Sequence, residues 1–186
     1  TTLRGKRTDV PNENHRRIVA DGDRIFVTLS HQAPMSILDA ATGQTISTVE
    51  ATNAAREILV SDGIAVVYSQ KTSDDSAKRR GARDTAGGTL MGVDGKTSKV
   101  LWRKQTGEIR TLSLAIDNGR IVYITGNKLV ARNLKDGSEQ WSIQPKQTSP
   151  KTLLIVDDVI VMQGGKSVSA YDATIGKLLW DKTVPS

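Results

Sequence analysis

Short runs of apolar residues, separated by turn-forming residues, recur along most of the chain. In residues 24–29, Ile, Val and Leu alternate with Phe and Thr, which is the period of a half-buried β-strand. Asp21-Gly22 precedes this run, and Asp-Gly between two apolar runs favours a β-hairpin. Similar turn-forming pairs occur at residues 62–63, 118–119 and 157–158. The pattern predicts an all-β chain of short antiparallel strands.

A motif that ends in Trp repeats at a fixed distance. All three tryptophans of the chain belong to it, because Trp102, Trp141 and Trp180 lie 39 residues apart in each case. An internal period of about 40 residues is typical of β-propellers and solenoids. The turn pairs at residues 118–119 and 157–158 are also separated by 39 residues. Two independent features therefore share one period, which indicates a repeat architecture.

The last copy of the motif shows what each position contributes. It places a small residue, an acid, a glycine and an aromatic residue at Ala170, Asp172, Gly176 and Trp180. Gly176 suits a turn position with positive φ, which other residues adopt only at a cost. Asp172 can accept hydrogen bonds from the amides of its own turn. Because a small sheet cannot bury both faces alone, the Trp is expected to pack on the neighbouring sheet and bury roughly 150–250 Å².

This motif resembles the tryptophan-docking motif of the pyrroloquinoline quinone-type (PQQ-like) β-propeller repeat family. The earlier copies keep most of its positions: the third has Ala131, Asn133, Gly137 and Trp141, the second has Gly92, Asp94, Ser98 and Trp102, and the first has Asp39, Gly43 and Ser47. Asn133 thus replaces the acid, Ser98 the glycine and Ser47 the tryptophan. The resemblance implies that the following residues dock the blades: Trp102, Trp141, Trp180, Asp94, Asp172, Gly137 and Gly176. The first blade, which lacks Trp, is expected to be held more weakly.

The resemblance implies a β-propeller built from four-stranded antiparallel blades. The predicted blades are residues 16–54, 55–108, 109–147 and 148–186. Residues 1–15 are polar and show no period, so we interpret them as a linker or the tail of a preceding blade. Propellers of this family are closed rings of seven or eight blades, and the four blades are interpreted as half of such a ring from a longer protein. A compact four-blade ring and a pairing of two half-rings are the alternatives.

The second repeat contains an insertion. Asp39 and Asp94 are 55 residues apart instead of 39, and the additional residues form a predicted loop at 71–87. The loop is polar, contains glycine and lacks aromatic residues, which is typical of an exposed segment. Because strands alternate in direction within a blade, this loop lies on the same rim as the connections between blades. In the family, that face is generally used for binding.

Basic residues of the insertion are the candidate binding residues. They are Lys78, Arg79, Arg80 and Arg83. His31 lies in a loop on the same predicted rim and is a further candidate. Two interpretations remain open: these side chains contact a partner or ligand, or the insertion and His31 are simply solvated.

Charge and aromatic content argue against nucleic acid as a partner. The formal net charge is +6, and residues 1–20 contribute +3 while residues 71–84 contribute +2. The blades are therefore nearly neutral, without the basic stripe that a phosphate backbone requires. Outside the three Trp, the chain has one Phe and three Tyr, too few for base-stacking platforms.

Several kinds of chemistry find no support in the sequence. Cysteine is absent, which excludes disulfides, thiolate metal sites and a cysteine nucleophile. No apolar stretch approaches the length of a membrane span. No HExxH, P-loop or nucleophile-elbow motif is present. We therefore predict no catalytic residue, metal site or cofactor.

Two classes of function follow. The preferred hypothesis is a non-catalytic propeller that serves as a scaffold and binds a protein partner, or the rest of its own propeller, through the loop-bearing rim. The alternative is part of a quinoprotein dehydrogenase, for which the resemblance would bring PQQ and calcium, or a propeller fused to a separate catalytic domain. The family's calcium ligands and catalytic Asp cannot be mapped on this chain. Whether it is an enzyme stays open, with the binding platform preferred.

The first and last predicted blades have apolar edges that no other blade of the chain is expected to cover. Such edges need a cover, so the isolated chain is expected to self-associate. The composition leaves the compartment open, and the resemblance favours a periplasmic or other extracytoplasmic location.

Overall fold

Short antiparallel strands make up the protein in a computed structural model that describes residues 16–30, 32–71, 87–146 and 150–183. The strands are β1 Ile18–Asp21, β2 Arg24–Thr28, β3 Met35–Asp39, β4 Thr45–Val49, β5 Ala55–Ser61, β6 Ile64–Ser69, β7 Gly88–Asp94, β8 Val100–Thr106, β9 Ile109–Asp117, β10 Arg120–Thr125, β11 Lys128–Asn133, β12 Glu139–Ile143, β13 Pro150–Val156, β14 Val159–Gly164, β15 Ser167–Asp172 and β16 Leu178–Thr183. One 3₁₀ turn spans Glu50–Thr52, and these described ranges contain no α-helix. The all-β prediction is confirmed.

Each group of four consecutive strands forms one antiparallel sheet in chain order, β1 to β4, β5 to β8, β9 to β12 and β13 to β16. The first strands of successive sheets, β1, β5, β9 and β13, lie next to one another. This arrangement is that of four propeller blades with the first strand of each blade innermost. The predicted blade architecture is confirmed, and the array is open rather than closed into a ring.

Tight turns between the first and second strands of the blades follow from the residues placed there. Asn118 and Gly119, with φ of 47° and 69°, both adopt the left-handed conformation that a two-residue hairpin requires. Asp157 and Asp158 do the same without glycine, at φ of 48° and 60°. Asp and Asn reach this region more easily than other side chains, so the acidic pair still forms the predicted turn.

Apolar side chains fill the space between neighbouring blades. On one face of each sheet, residues in register across the four strands form a ladder that points toward the next blade. The ladders are Val19–Phe26–Ile37–Ser47, Leu59–Val66–Gly92–Trp102, Ala115–Val122–Ala131–Trp141 and Leu154–Val161–Ala170–Trp180. The first three ladders belong to the clusters between successive blades, and burial of their apolar area is the main stabilising contribution.

The strand pattern in residues 24–29 differs slightly from the structure. Strand β2 ends at Thr28, and Leu29 is exposed in the following loop. Phe26 is the buried residue of this strand, because its face of the sheet packs against the second blade. A period of 2 identifies the strand, but the position of the neighbouring blade decides which face is covered.

Candidate functional site

The connections between strands divide into two rims. What we term the loop rim comprises residues 29–30, 32–34, 50–54, 70–71, 87, 107–108, 126–127, 144–146 and 165–166. The turn rim comprises residues 22–23, 40–44, 62–63, 95–99, 118–119, 134–138, 157–158 and 173–177. The two sets lie at opposite ends of the strands because successive strands run antiparallel.

The binding residues predicted from the sequence are not among those the structure describes. His31, Lys78, Arg79, Arg80 and Arg83 all lie outside the described ranges, so their role as contacts stays a prediction. The residues that flank the insertion are described, however, and they lie on the loop rim.

A cavity of about 290 Å³ opens at the base of the insertion, and we term it the insertion cavity. Its lining includes Asn53 from the connection between blades, Gln70 and Lys71 from the end of β6, and Thr89 and Arg103 from β7 and β8. Polar and apolar surface contribute about equally to the lining, and the polar part can form hydrogen bonds with a ligand.

A buried threonine holds the wall of the insertion cavity in place. The Thr52 hydroxyl donates to the Val49 carbonyl at 2.7 Å and accepts from the Met35 amide at 2.8 Å. The Thr52 carbonyl accepts from the Ser69 hydroxyl at 3.0 Å. Because these bonds connect the first and second blades, the cavity wall is fixed before any ligand arrives.

A second cavity of about 440 Å³ lies beside the first on the same rim, and we term it the neighbouring cavity. It lies between the β8–β9 and β10–β11 connections, and its lining includes Glu108, Arg110, Asn127 and Lys128. Four of the five ionisable residues that line the two cavities are basic, namely Lys71, Arg103, Arg110 and Lys128, and Glu108 is the acid. This part of the described rim therefore favours an acidic or carbonyl-rich surface.

Tyr68 connects the two cavities. Its ring is buried against Gly88, where any side chain would overlap the ring. Its phenol oxygen accepts a hydrogen bond of 3.1 Å from the Ile109 amide at the start of β9. The glycine at the base of the insertion thus makes room for an aromatic residue that positions the neighbouring cavity.

On the turn rim, aspartates shape the turns between the third and fourth strands. Asp94 Oδ1 accepts from the amides of Lys96 and Thr97 at 2.9 and 2.7 Å. Asp172 Oδ1 accepts from the Thr174 hydroxyl and amide, and these bonds hold the pKa of Asp172 below its ordinary value. Hydrogen bonds from Thr97 likewise lower the pKa of Asp94. These carboxylates stabilise their own turns by accepting hydrogen bonds, so their role is structural.

Two tryptophans lie against the turns of the following blade. Trp102 Nε1 donates to the Leu134 carbonyl at 2.8 Å, and its ring lies so close to Gly137 that an added Cβ would be 2.6 Å from it. Trp141 repeats this geometry one blade later: Nε1 donates to the Ala173 carbonyl at 2.9 Å, and a Cβ added at Gly176 would be 2.9 Å from the ring.

Trp180, by contrast, is 44% exposed, whereas Trp102 is 7% exposed. No blade follows β13 to β16 within the described residues, so none receives this tryptophan.

The interface between the first two blades uses different residues. The sequence showed the two serine replacements, but it did not show the arginine that accompanies them. Ser47 and Ser98 take the tryptophan and glycine positions, and their hydroxyl oxygens are 2.5 Å apart. An arginine replaces the indole as the donor: Arg24 Nη1 donates to the carbonyl of Gly95, the residue after the turn aspartate. The Phe26 ring fills the space beside Gly95. Comparing the Trp position of one repeat with the Gly position of the next would have shown that Ser47 and Ser98 replace a contacting pair.

An ion pair between an exposed arginine and a buried glutamate lies beside the inner strands, and no sequence pattern indicated it. Arg16 donates to Glu57 Oε1 from Nε at 2.9 Å and from Nη2 at 2.6 Å, and Nη2 also donates to the Leu114 carbonyl. Glu57 on β5 is only 1% exposed. Burial raises the pKa of Glu57, and the charge and hydrogen bonds of Arg16 oppose that rise. One guanidinium thereby connects three successive blades.

The described ranges contain neither a candidate metal cluster nor a candidate membrane-spanning helix. Within the described ranges, no group of three or more His, Cys, Asp or Glu residues could hold a metal ion. The described residues therefore do not form the carboxylate cluster that calcium prefers. None of the helical segments in the same ranges is long and apolar enough to cross a membrane.

Comparisons with known proteins identify the fold. The structure resembles BamB from Moraxella catarrhalis, with a TM-score of 0.68 and 14% identity, over 91% of this chain and 49% of that chain. It also resembles the computationally designed Ika8 protein, with a TM-score of 0.67 and 15% identity, over 90% of this chain and 48% of that chain. A quinohemoprotein alcohol dehydrogenase, ADHIIG from Pseudomonas putida HK5, has a TM-score of 0.63 and 12% identity, over 92% of this chain and 34% of that one. At these identities the likeness shows the fold alone.

This chain is shorter than the solved chains that it resembles. It spans about half the length of the BamB and Ika8 chains, and about a third of the dehydrogenase. The search of curated proteins gave no significant match. The family model described as outer membrane protein assembly factor BamB matches residues 5–151 and again residues 85–186. Since these two matches together span nearly the whole chain, the protein belongs to the outer membrane protein assembly factor BamB family.

Proposed function

We propose that this chain is a non-catalytic propeller module that acts as a scaffold and binds a protein partner through its loop rim. The observation that carries the proposal is a pair of adjacent cavities on the loop rim whose charged residues are mainly basic, with Lys71 and Arg103 in one and Arg110 and Lys128 in the other. The family's description as an assembly factor supports a role in holding other proteins together.

The chemistry of the two cavities favours an extended, acidic segment of a partner. Adjacent concave sites allow one peptide to occupy both, and long basic side chains at their edges attract carboxylates before contact. Arg56 Nη1 donates to Gln70 Oε1 at 2.7 Å, which fixes that amide in the wall of the insertion cavity. The partner would thus meet a surface whose polar groups are already oriented, which reduces the entropy lost on binding.

The fold also supports a rigid platform. Tyr68, Thr52 and the Arg16–Glu57 pair each connect neighbouring blades beneath or beside the loop rim. Rigid elements position binding residues more accurately than free loops do. A scaffold needs this property more than it needs a reactive group.

Crosslinking tests the location of the binding surface. A photoreactive amino acid is introduced at Lys71 or Asn127 on the loop rim, and at Lys96 or Lys135 on the turn rim as matched controls. All four positions are exposed. Irradiation of cells that produce each variant should give an adduct with one partner from the loop rim only. Equal adducts from both rims, or from the turn rim alone, would contradict the proposal.

Charge reversal then tests the chemistry with the partner so identified. Lys71→Glu with Lys128→Glu should weaken binding roughly tenfold or more, because both charges then oppose an acidic segment. Lys96→Glu with Lys135→Glu applies the same change of net charge on the turn rim and should leave affinity nearly unchanged. Neutralising Lys78, Arg79, Arg80 and Arg83 tests the predicted contribution of the insertion in the same assay. If the neutralised variant bound the partner as tightly as the wild type does, the insertion would be no more than a solvated loop.

The alternative, part of a quinoprotein dehydrogenase, is tested separately. The likeness to the Pseudomonas putida enzyme concerns the fold. Titration of the protein with PQQ and calcium, followed by absorbance, should give no saturable change if the chain is a binding platform. A saturable spectrum that requires calcium would favour the enzyme.

A further inference from the structure

The innermost strand of the third blade contains an unusually long β-bulge next to the loop rim. In β5 and β13, the innermost strands on either side of it, the corresponding bulge adds a single residue. In β9, the four residues 110–113 lie opposite Ile124 alone, so this bulge adds three. Because β9 lies between β5 and β13, the feature does not arise at an end of the array. A bulge redirects side chains and is found especially often beside functional sites.

Leu112, within this bulge, has a backbone conformation that leucine rarely adopts. Its φ is +61°, in the left-handed region that Gly, Asn and Asp reach more easily. Its side chain is 46% exposed, so burial in the core of this protein does not offset the backbone strain. Leu112 therefore departs from two local preferences at once, and such departures are concentrated at functional sites.

Two hydroxyl groups hold the bulge in this conformation. The hydroxyl of Ser113, a fully buried residue, donates to the Arg110 carbonyl at 2.6 Å. The Thr152 hydroxyl, on the innermost strand of the fourth blade, donates to the Leu112 carbonyl at 3.0 Å. The exposed leucine is thus presented by a backbone that is tied to its own strand and to the next blade.

The bulge also places a basic side chain beside the apolar one. Arg110 is exposed and lines the neighbouring cavity together with Lys128. A peptide segment that carries carboxylates and one large apolar side chain fits this combination. Its carboxylates complement the basic residues, and its apolar side chain removes the exposed Leu112 from water.

We propose that Leu112 is the apolar contact of the loop-rim binding surface, and that the acidic segment of the partner carries an aliphatic or aromatic side chain that packs on it. A carboxylate next to that side chain pairs with Arg110. This inference rests on the proposed function and adds to it one contact residue and the sequence character of the segment that is bound. Gly or Asn at position 112 would relieve the strain, so the leucine is explained by what it contacts.

Two labelled synthetic peptides test the partner chemistry by fluorescence anisotropy. One contains only Glu and Ser, and the other has the same sequence with Phe in place of a central Ser. The full chain should bind the Phe peptide roughly tenfold or more tightly than the Glu–Ser peptide, because a covered aromatic side chain adds apolar burial. Leu112→Asn should abolish that advantage and leave the affinity for the Glu–Ser peptide nearly unchanged, since Arg110 and Lys128 are still present.

Leu101→Asn is the matched control for the loss of an exposed leucine. Leu101 is also 46% exposed, but it lies on β8 toward the turn rim and outside the left-handed region. This variant should keep the full advantage of the Phe peptide.

Stability separates a binding role of Leu112 from a structural one. Since Asn tolerates the left-handed conformation, Leu112→Asn should leave the midpoint of urea denaturation unchanged or raise it. Leu114→Ala, which truncates a fully buried leucine of the same strand, should lower that midpoint.

The outcomes separate this inference from the proposed function. Equal affinity for the two peptides, or a Phe advantage that survives Leu112→Asn, would overturn the contact at Leu112 but leave the acid-binding rim in place. A urea midpoint that fell as far for Leu112→Asn as for Leu114→Ala would overturn it as well, because Leu112 would then serve folding. If neither peptide bound, both this inference and the preference of the rim for acidic segments would be wrong.

Discussion

Ser47 and Ser98 face each other between the first two blades, with 2.5 Å between their hydroxyl oxygens, at the positions that hold tryptophan and glycine in the later repeats. Ser98 keeps the left-handed turn conformation of those glycines, at φ +61°. A Trp would overlap any side chain at this turn position, as the contact of Trp102 with Gly137 shows. Loss of the tryptophan therefore removes the need for glycine in the turn opposite, and the two positions depend on each other.

This dependence can be measured by a double-mutant cycle. Ser47→Trp alone should lower the free energy of unfolding by about 1–3 kcal/mol, because the indole is forced against the Ser98 side chain and the Phe26 ring. Ser98→Gly in the same protein should recover part of that loss. Urea denaturation of the four proteins gives the coupling energy, expected to be about 0.5–3 kcal/mol. Additive effects of the two substitutions would mean that these positions are independent.

Truncating a buried tryptophan should destabilise the protein strongly. Trp102→Ala is expected to lower the free energy of unfolding by about 3–5 kcal/mol, because it leaves a cavity and an unpaired Leu134 carbonyl. Trp180→Ala is the matched control and should lower the free energy of unfolding much less, since this ring is already 44% exposed. Equal losses in the two variants would show that the contact with the following turn contributes little.

The buried carboxyl of Glu57 predicts a pH dependence of stability. Burial raises the pKa of Glu57 above its unfolded value of 4.5. Between the two pKa values the folded protein binds the proton more tightly, so this residue makes the free energy of unfolding fall as the pH rises from 4.5 through the folded pKa. Glu57→Gln should remove that fall.

Urea denaturation on both sides of the unfolded pKa measures this effect. The turn aspartates Asp39, Asp94 and Asp172 have lowered pKa values and contribute the opposite slope, so the difference between wild type and Glu57→Gln isolates Glu57. Arg16→Ala should lower the free energy of unfolding by about 1–3 kcal/mol above the folded pKa, where the buried carboxylate loses its hydrogen-bond donor. Parallel pH profiles for wild type and Glu57→Gln would contradict the assignment.

The phenol of Tyr68 should contribute more than the equivalent group in the last blade. Tyr68→Phe leaves the buried Ile109 amide without its acceptor and is expected to cost about 1–3 kcal/mol. Tyr171→Phe removes a similar bond of 3.0 Å from the amide of Lys146, an exposed residue where water can substitute. Tyr171→Phe should therefore lower the free energy of unfolding less than Tyr68→Phe does. If thermal denaturation gave equal losses, the Tyr68 bond would have no special role in placing β9.

The fold could be predicted because its determinants recur locally in the sequence. The spacing of Trp102, Trp141 and Trp180 and the turn pairs each depend on residues within one repeat, and the strand and turn positions followed from them. The burial of Phe26 could not be derived in the same way, since it depends on which face of the first blade the second one covers.

The candidate site was harder to predict. The polar contacts that shape it join residues far apart in the chain, such as Tyr68 with Ile109 and Ser69 with Thr52, which are 41 and 17 positions apart. The period of apolar residues in the sequence does not indicate which distant residues form such a contact. The sequence indicated the rim through the length of the insertion, but the cavities arise from connections of three different blades. The predicted basic contacts of the insertion itself stay a prediction.

The separation of the contacting residues also governs the order in which the protein can assemble. Each indole hydrogen bond spans 32 residues, so a blade needs only its successor, and such nearest-neighbour contacts allow repeats to form one after another during synthesis. Arg16 is different, because its bond to the Leu114 carbonyl spans 98 residues. The guanidinium that pairs with Glu57 thus makes all of its hydrogen bonds only after the third blade has been made, and the first two blades must pass through synthesis without the bond to Leu114.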